Sequence, residues 1–213
     1  MITQGQVGPL ATVASLSAGS QTITRMGNMG DAIVSELHGR YYEAAYRRTL
    51  YTASALAQTT TAFTSGTTTA VVGLTISNPI TSPVNLVLNK VGVAYTVAFS
   101  AVAQIGLAIG YNSGTNVTHT TPVSVRSTYV GIGGAGYGLV DSSATVPTAP
   151  NTTHIFGAGD TGAVTTVPYI GSGLIDLEGS IILPPGAYAT IVTTAASGAS
   201  GAHYSVSWEE VPL

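Results

Sequence analysis

Residues 84–111 read VNLVLNKVGVAYTVAFSAVAQIGLAIGY, and their spacing decides the fold class. Val84, Leu86 and Leu88 alternate with Asn85, Val87 and Asn89; Val93, Tyr95, Val97 and Phe99 continue the pattern, and Ile105, Leu107, Ile109 and Tyr111 repeat it. A period of two puts alternate side chains on opposite faces of a strand, whereas a helix repeats every ~3.6 residues. The same period recurs outward from this stretch. Val72, Leu74 and Ile76 precede it; Val123–Val130, Leu174–Leu183, Tyr188–Thr193 and Tyr204–Trp208 follow it. Each run is short and ends at Asn-Pro, Ser-Pro, Asn-Ser-Gly, Pro-Pro-Gly or Ser-Gly-Ala, all turn-forming. Strands in series with no helix between them predict a mainly β chain, an antiparallel β-sandwich of the jelly-roll type. In 181–188, IILPPGAY, a rigid Pro-Pro-Gly turn joins two strands, and Trp208 sits on the apolar side of a terminal strand expected to close the sandwich.

The polar positions of these strands are filled by threonine and serine rather than by charge. Six basic and nine acidic residues make only 7% of the 213-residue chain charged, against about a quarter in an average soluble domain. A net charge of −3 and a pI near 5.7 exclude the clustered Lys/Arg needed to displace counterions from nucleic acid. The wealth of β-branched residues argues against disorder. No cysteine is present, so no disulfide framework forms and redox compartment is left open. Mean hydropathy is +0.37, yet Gly, Thr, Ser or Asn interrupts every stretch before the ~18 apolar residues of a membrane helix, so no membrane partner is expected. The start, MITQGQVGPLATVASLSAGS, has no basic n-region or apolar h-region, and folding in the cytosol is the expectation. A surface so poor in charge is unusual for a free monomer and points to assembly.

Charge is also unevenly placed. Arg25, Asp31, Glu36, Arg40, Glu43, Arg47 and Arg48 are seven of the fifteen charges, and between Leu50 and Val140 only Lys90 and Arg126 occur. The division this suggests is an N-terminal arm, 1–57, and a β-sandwich domain, 58–213, with the Thr-rich tract 58–69 as a linker or first strand. Within the arm, 31–50 (DAIVSELHGRYYEAAYRRTL) carries the one helical pattern, capped by Asp31 with Glu36/Arg40 and Glu43/Arg47 at i,i+4. Gly39 weakens it, and the tyrosines also suit an extended segment, so the arm is expected to hold a short helix or an extended stretch.

Sites of chemistry are scarce. The GIGGAG of 131–136 matches a dinucleotide fingerprint literally, but no helix pattern follows it, and it reads as a glycine turn. No GxSxG, Walker A or HExxH motif occurs. His38, His119, His154 and His203 are far apart, and read as solvated rather than as metal ligands. Asp176 and Glu178 share a strand face, where a glycosidase dyad or half a calcium site is conceivable, but Ile175 and Leu177 opposite them turn the acids to solvent. The expectation is no enzyme, and no catalytic, cofactor-binding or metal residue.

Two tracts carry a resemblance. Glu36–Arg47, ELHGRYYEAAYR, followed by a Thr/Ser/Ala-rich β body, and the closing LPPGAY of 183–188 with SWEE of 207–210, resemble small virion structural proteins of tailed bacteriophages. The resemblance implies a particle component, assembled in the host cytoplasm and located in the virion, often a homotrimer. Its partners would be the major capsid protein or other virion proteins and copies of itself. The expected function is a capsid decoration (cement) protein that holds and stabilises the shell through its arm. The alternative is a head or tail fibre module binding a host receptor or glycan through Tyr111, Tyr129, Tyr137 and Tyr169. Because Tyr and Arg dominate interface hot spots, Tyr41, Tyr42, Tyr46, Arg47 and Arg48 are the partner-binding candidates.

Overall fold

The computed structural model describes residues 39–131, 135–159, 173–197 and 199–213, together with two-residue strands at 5–6 and 24–25. The chain divides between Arg40 and Tyr41 into two compact units. In the first, β1 (Gly5–Gln6) and β2 (Thr24–Arg25) pair in parallel. The second is mainly β, with antiparallel sheets. A short helix, α1 (Tyr42–Tyr46), leads into β3 (Leu50–Gln58), β4 (Ala70–Ser77), β5 (Val84–Tyr95) and β6 (Ala103–Tyr111). Three two-residue strands follow, β7 (Thr118–His119), β8 (Pro122–Val123) and β9 (Arg126–Ser127). The series ends with β10 (Leu139–Thr145), β11 (Asn151–Gly159), β12 (Gly173–Leu183), β13 (Ala187–Thr193) and β14 (Ala202–Pro212).

These strands form a seven-stranded sheet, β11-β6-β13-β4-β10-β7 with β8 also on β10, and a five-stranded sheet, β12-β5-β14-β3-β9. The pairing is palindromic. β3 pairs with β14, β4 with β13, β5 with β12 and β6 with β11, so the first half of the body is matched strand by strand to the second half in reverse. The shared core lies between the sheets. Leu74, Ile76, Ile105, Leu107 and Ile191 from the larger sheet meet Leu86, Leu88, Val91, Val206 and Trp208 from the smaller. Asn78 ties the rims of the sheets together: its Nδ2 donates to Val84 O at 2.7 Å and Leu183 O at 2.9 Å.

The turn expected at Pro-Pro-Gly is present. Gly186 has φ +89, and Ala187 N–H donates to Pro184 O at 2.9 Å, a geometry that only glycine enters without strain. Trp208 lies on the last strand, β14, which runs between β5 and β3. Three expectations change. Residues 50–57, expected in the arm, belong to a strand of the smaller sheet, β3, with Trp208 opposite Tyr51, so the 57/58 boundary falls at the end of that strand. The strand expected over 123–130 is reduced to β8 and β9, broken between Val123 and Arg126. The helical pattern over 31–50 yields α1 alone among the described residues, and Asp31, Ile33, Glu36 and Leu37 lie outside them.

Candidate functional site

The partner-binding candidates gather around the start of β3. α1 ends in two reversed hydrogen bonds, Arg48 N–H to Ala45 O and Thr49 N–H to Ala44 O, both 3.0 Å. That is a Schellman closure, and its left-handed position, normally glycine, is taken by Arg48 at φ +63. The reversal swings the chain from the helix into β3 and sends the Arg48 guanidinium over Tyr129, 5.4 Å from the ring centroid. Tyr129 in turn meets Tyr46 edge-on at 6.4 Å, and Tyr46 stacks on Tyr42 at 5.9 Å, one helical turn away. Arg47 pairs with Glu43 at 2.6 Å as the i,i+4 spacing predicts, and both are exposed. Tyr42 is 44% exposed and Tyr46 59%. Three rings and two guanidinium groups therefore form one open surface.

Tyr41 is separate from that cluster. It lies against the smaller sheet, with its hydroxyl donating to Asp176 at 3.2 Å and Lys90 Nζ 5.1 Å above its ring. Lys90 also reaches Asp176 at 3.9 Å. Of the five arm residues, four belong to the open surface and one packs on the body. Tyr129 is the member missed among the partner-binding candidates; it comes from the loop after β9.

The remaining candidates are dispersed. Asp176 and Glu178 are exposed, with Leu177 buried between them. They do not sit on a regular strand face: the register between β12 and β5 jumps from Asp176 to Ile181, and Glu178 has φ +54. Glu178 N–H donates to Asp176 Oδ1 at 2.9 Å, so the acids close a local turn. Tyr111 and Tyr137 are exposed, while Tyr169 and His38 lie outside the described residues. His154 is an exposed strand residue bonded to Thr153, and His203 bridges Ala57 N–H and Thr96 at 3.3 Å each. His119 differs from the solvated side chain expected: it is half-buried, bonded to Ser77 at 3.3 Å and to the buried Asp141. Among the described residues no three His, Asp or Glu side chains converge as a metal site, and no helix is long and apolar enough to cross a membrane.

Burial raises the pKa of Tyr95 and Tyr204 well above the ordinary tyrosine value, and for Tyr95 the neighbouring Tyr204 adds to the effect. Their hydroxyls meet at 2.8 Å inside the core, which makes them structural. Comparison with protein-family models, curated proteins and solved structures returns no match.

Proposed function

We propose that this chain is a structural component of a tailed-bacteriophage virion, a capsid decoration protein that grips the shell through the cluster of Tyr42, Tyr46, Tyr129, Arg47 and Arg48. The observation that carries the reading is the solvent exposure of Tyr42 and Tyr46, next to a guanidinium held over Tyr129. Large aromatic rings and Arg left at the surface are the composition of an interface hot spot, and they lose little entropy on docking when already stacked. The occupant on this reading is the major capsid protein.

The jelly-roll assignment belongs to the same proposal. The palindromic pairing of β3–β6 with β14–β11 supports it, with β10 then an addition on the β4 edge. Such a roll with few charges packs against copies of itself with little charge desolvation, and the homotrimer implied by the resemblance is one such assembly.

The test is binding of the full-length protein to shells stripped of accessory proteins. Tyr46→Ala combined with Arg48→Ala should weaken binding about 30-fold or more, the effect of losing a hot spot of ~2 kcal/mol. Unchanged binding by a folded double variant would remove the cluster from the interface. A copy number far below that of the shell subunit would favour the fibre module instead.

A further inference from the structure

We infer that Ser77, His119 and Asp141 form a nucleophile–base–orienter relay at a small cavity on the outer face of the larger sheet, able to hydrolyse short neutral esters. The register brings the parts together. β4 and β10 place Thr75 opposite Asp141 and Ser77 opposite Leu139, and directly opposed residues share a face. That face points away from the inter-sheet core. β7 then pairs onto β10, with His119 opposite Ala144, and lays the imidazole across the same face.

The hydrogen bonds run in one direction. Asp141 is fully buried; its Oδ1 accepts Thr121 N–H at 2.8 Å, and its Oδ2 accepts from His119 Nδ1. A carboxylate can only accept, so Nδ1 carries a proton, and in the neutral imidazole Nε2 then holds the lone pair. Ser77 Oγ lies 3.3 Å from Nε2 and donates to it in that neutral form. Serine, histidine and aspartate thus stand in the order that acyl transfer needs, a constellation recognised by geometry rather than by position along the chain.

The relay opens onto space. Ser77 and His119 line a cavity of about 220 Å³ together with Asn78, Asn116, Val117 and Leu139. One polar group there has capacity for a ligand. Asn116 Oδ1 is engaged by Ile80 N–H at 2.8 Å, which leaves its amide N–H groups as donors for a developing oxyanion. Asn78 also borders the cavity, but its amide is fixed by Val84 O and Leu183 O and its Oδ1 is buried. With apolar walls and no Lys or Arg in the lining, the fit is to a short uncharged acyl ester.

The reaction balances with water alone. Ser77 Oγ bonds to the carbonyl carbon as its proton passes to His119 Nε2. Collapse of the intermediate breaks the C–O bond to the alcohol, which leaves with that proton. Water, deprotonated by Nε2, then attacks the acyl-serine; the ester bond to Ser77 Oγ breaks, Nε2 returns the proton to that oxygen, and the acid is released.

The test is treatment of the folded full-length protein with a fluorophosphonate probe, followed by peptide mapping, in parallel with p-nitrophenyl acetate turnover. The expected result is one adduct, on Ser77, with Ser142, equally buried but outside the cavity lining, unlabelled. Ser77→Ala should abolish turnover, and Asp141→Asn should slow labelling by about 100-fold or more. No adduct on the folded wild type, or an adduct elsewhere, overturns the proposal without recourse to any variant. Turnover that survives in Ser77→Ala overturns it as well.

Discussion

The two sheets of the body bury themselves differently. In β5 and β14 of the smaller sheet, buried and half-buried residues alternate, so one face meets the core and the other meets solvent. In β13 of the larger sheet all seven residues are buried, and in β4 the last five are. The larger sheet is covered on both sides: by the smaller sheet within, and outside by loops that set Phe63, Val117 and Val146 over Val71, Ala108, Tyr188 and Val192. A strand buried on both faces has no place for ordinary charged residues, because an unpaired buried charge is far more costly than a bonded hydroxyl. The hydroxyls there are bonded: Thr75 to Thr190 at 2.9 Å, Thr193 to Thr60 at 3.1 Å, and Thr60 N–H to Ser197 at 2.9 Å. Part of the chain's charge deficit, which on sequence alone points to assembly, is therefore accounted for within the body itself.

The sharpest way to break the comparison is to open the inter-sheet core. Trp208 is fully buried, stacks on Tyr51 at 6.1 Å, and sends its indole N–H to Glu210 at 3.3 Å. Trp208→Ala should cost about 3–5 kcal/mol of unfolding free energy in a denaturant titration. A loss below ~1 kcal/mol would mean that the sheets can close without it. The outer face should respond to chemistry more than to volume. Thr190→Val leaves the Thr75 hydroxyl without its acceptor in a dry site and should cost about 1–3 kcal/mol, whereas Thr75→Val with Thr190→Val should recover most of that. Additive losses in the double variant would show that the two hydroxyls do not depend on each other.

Strands of both sheets were legible in the sequence, but the cover on the outer face of the larger one was not. Alternation marks β5 and β14 because a half-exposed face must be polar. β3 escaped notice for the opposite reason: its buried positions include Ala53 and Ala55, too small to signal a core, and its place is set by pairing with β14. The glycine turn at 186 was readable because φ restricts the residue type. The open Tyr–Arg surface was legible for Tyr42, Tyr46, Arg47 and Arg48, which are neighbours on the chain, but Tyr129 arrives through the fold. Ser77, His119 and Asp141 carry no motif at all. They are separated by 42 and 22 positions, and only strand register joins them.

Alkaline titration probes the buried tyrosines of both interiors, since burial also raises the pKa of Tyr188 in the outer cluster. Tyr95 and Tyr204 belong to the inter-sheet core, and burial holds both pKa values above the unfolded value of about 10. A raised folded pKa contributes stability that is complete below the unfolded pKa and is lost as pH rises above it, because only the unfolded chain then releases the proton. Each of these tyrosines should therefore remove about 1.4 kcal/mol per pH unit above pH ~10. Tyr95→Phe with Tyr204→Phe should flatten that part of the slope. An unchanged slope in the double variant would assign alkaline unfolding to other groups.

The smallest effect tests whether the Tyr–Arg surface, unlike either interior, carries strain in place of stability. Arg48 occupies the left-handed position of the closure after α1, at a backbone angle that a side chain makes unfavourable by about 1–2 kcal/mol. Arg48→Ala and Arg48→Gly both remove the guanidinium from Tyr129, so the loss of that contact cancels between them. What remains is the Cβ, and glycine should leave the protein about 1 kcal/mol more stable than alanine in thermal unfolding. Equal stabilities would mean that the closure relaxes when the guanidinium leaves, so that the contact with Tyr129 is what holds Arg48 in place. If glycine is the more stable and both variants still lose shell binding, the arginine is kept there for the surface it presents and against the preference of its own backbone.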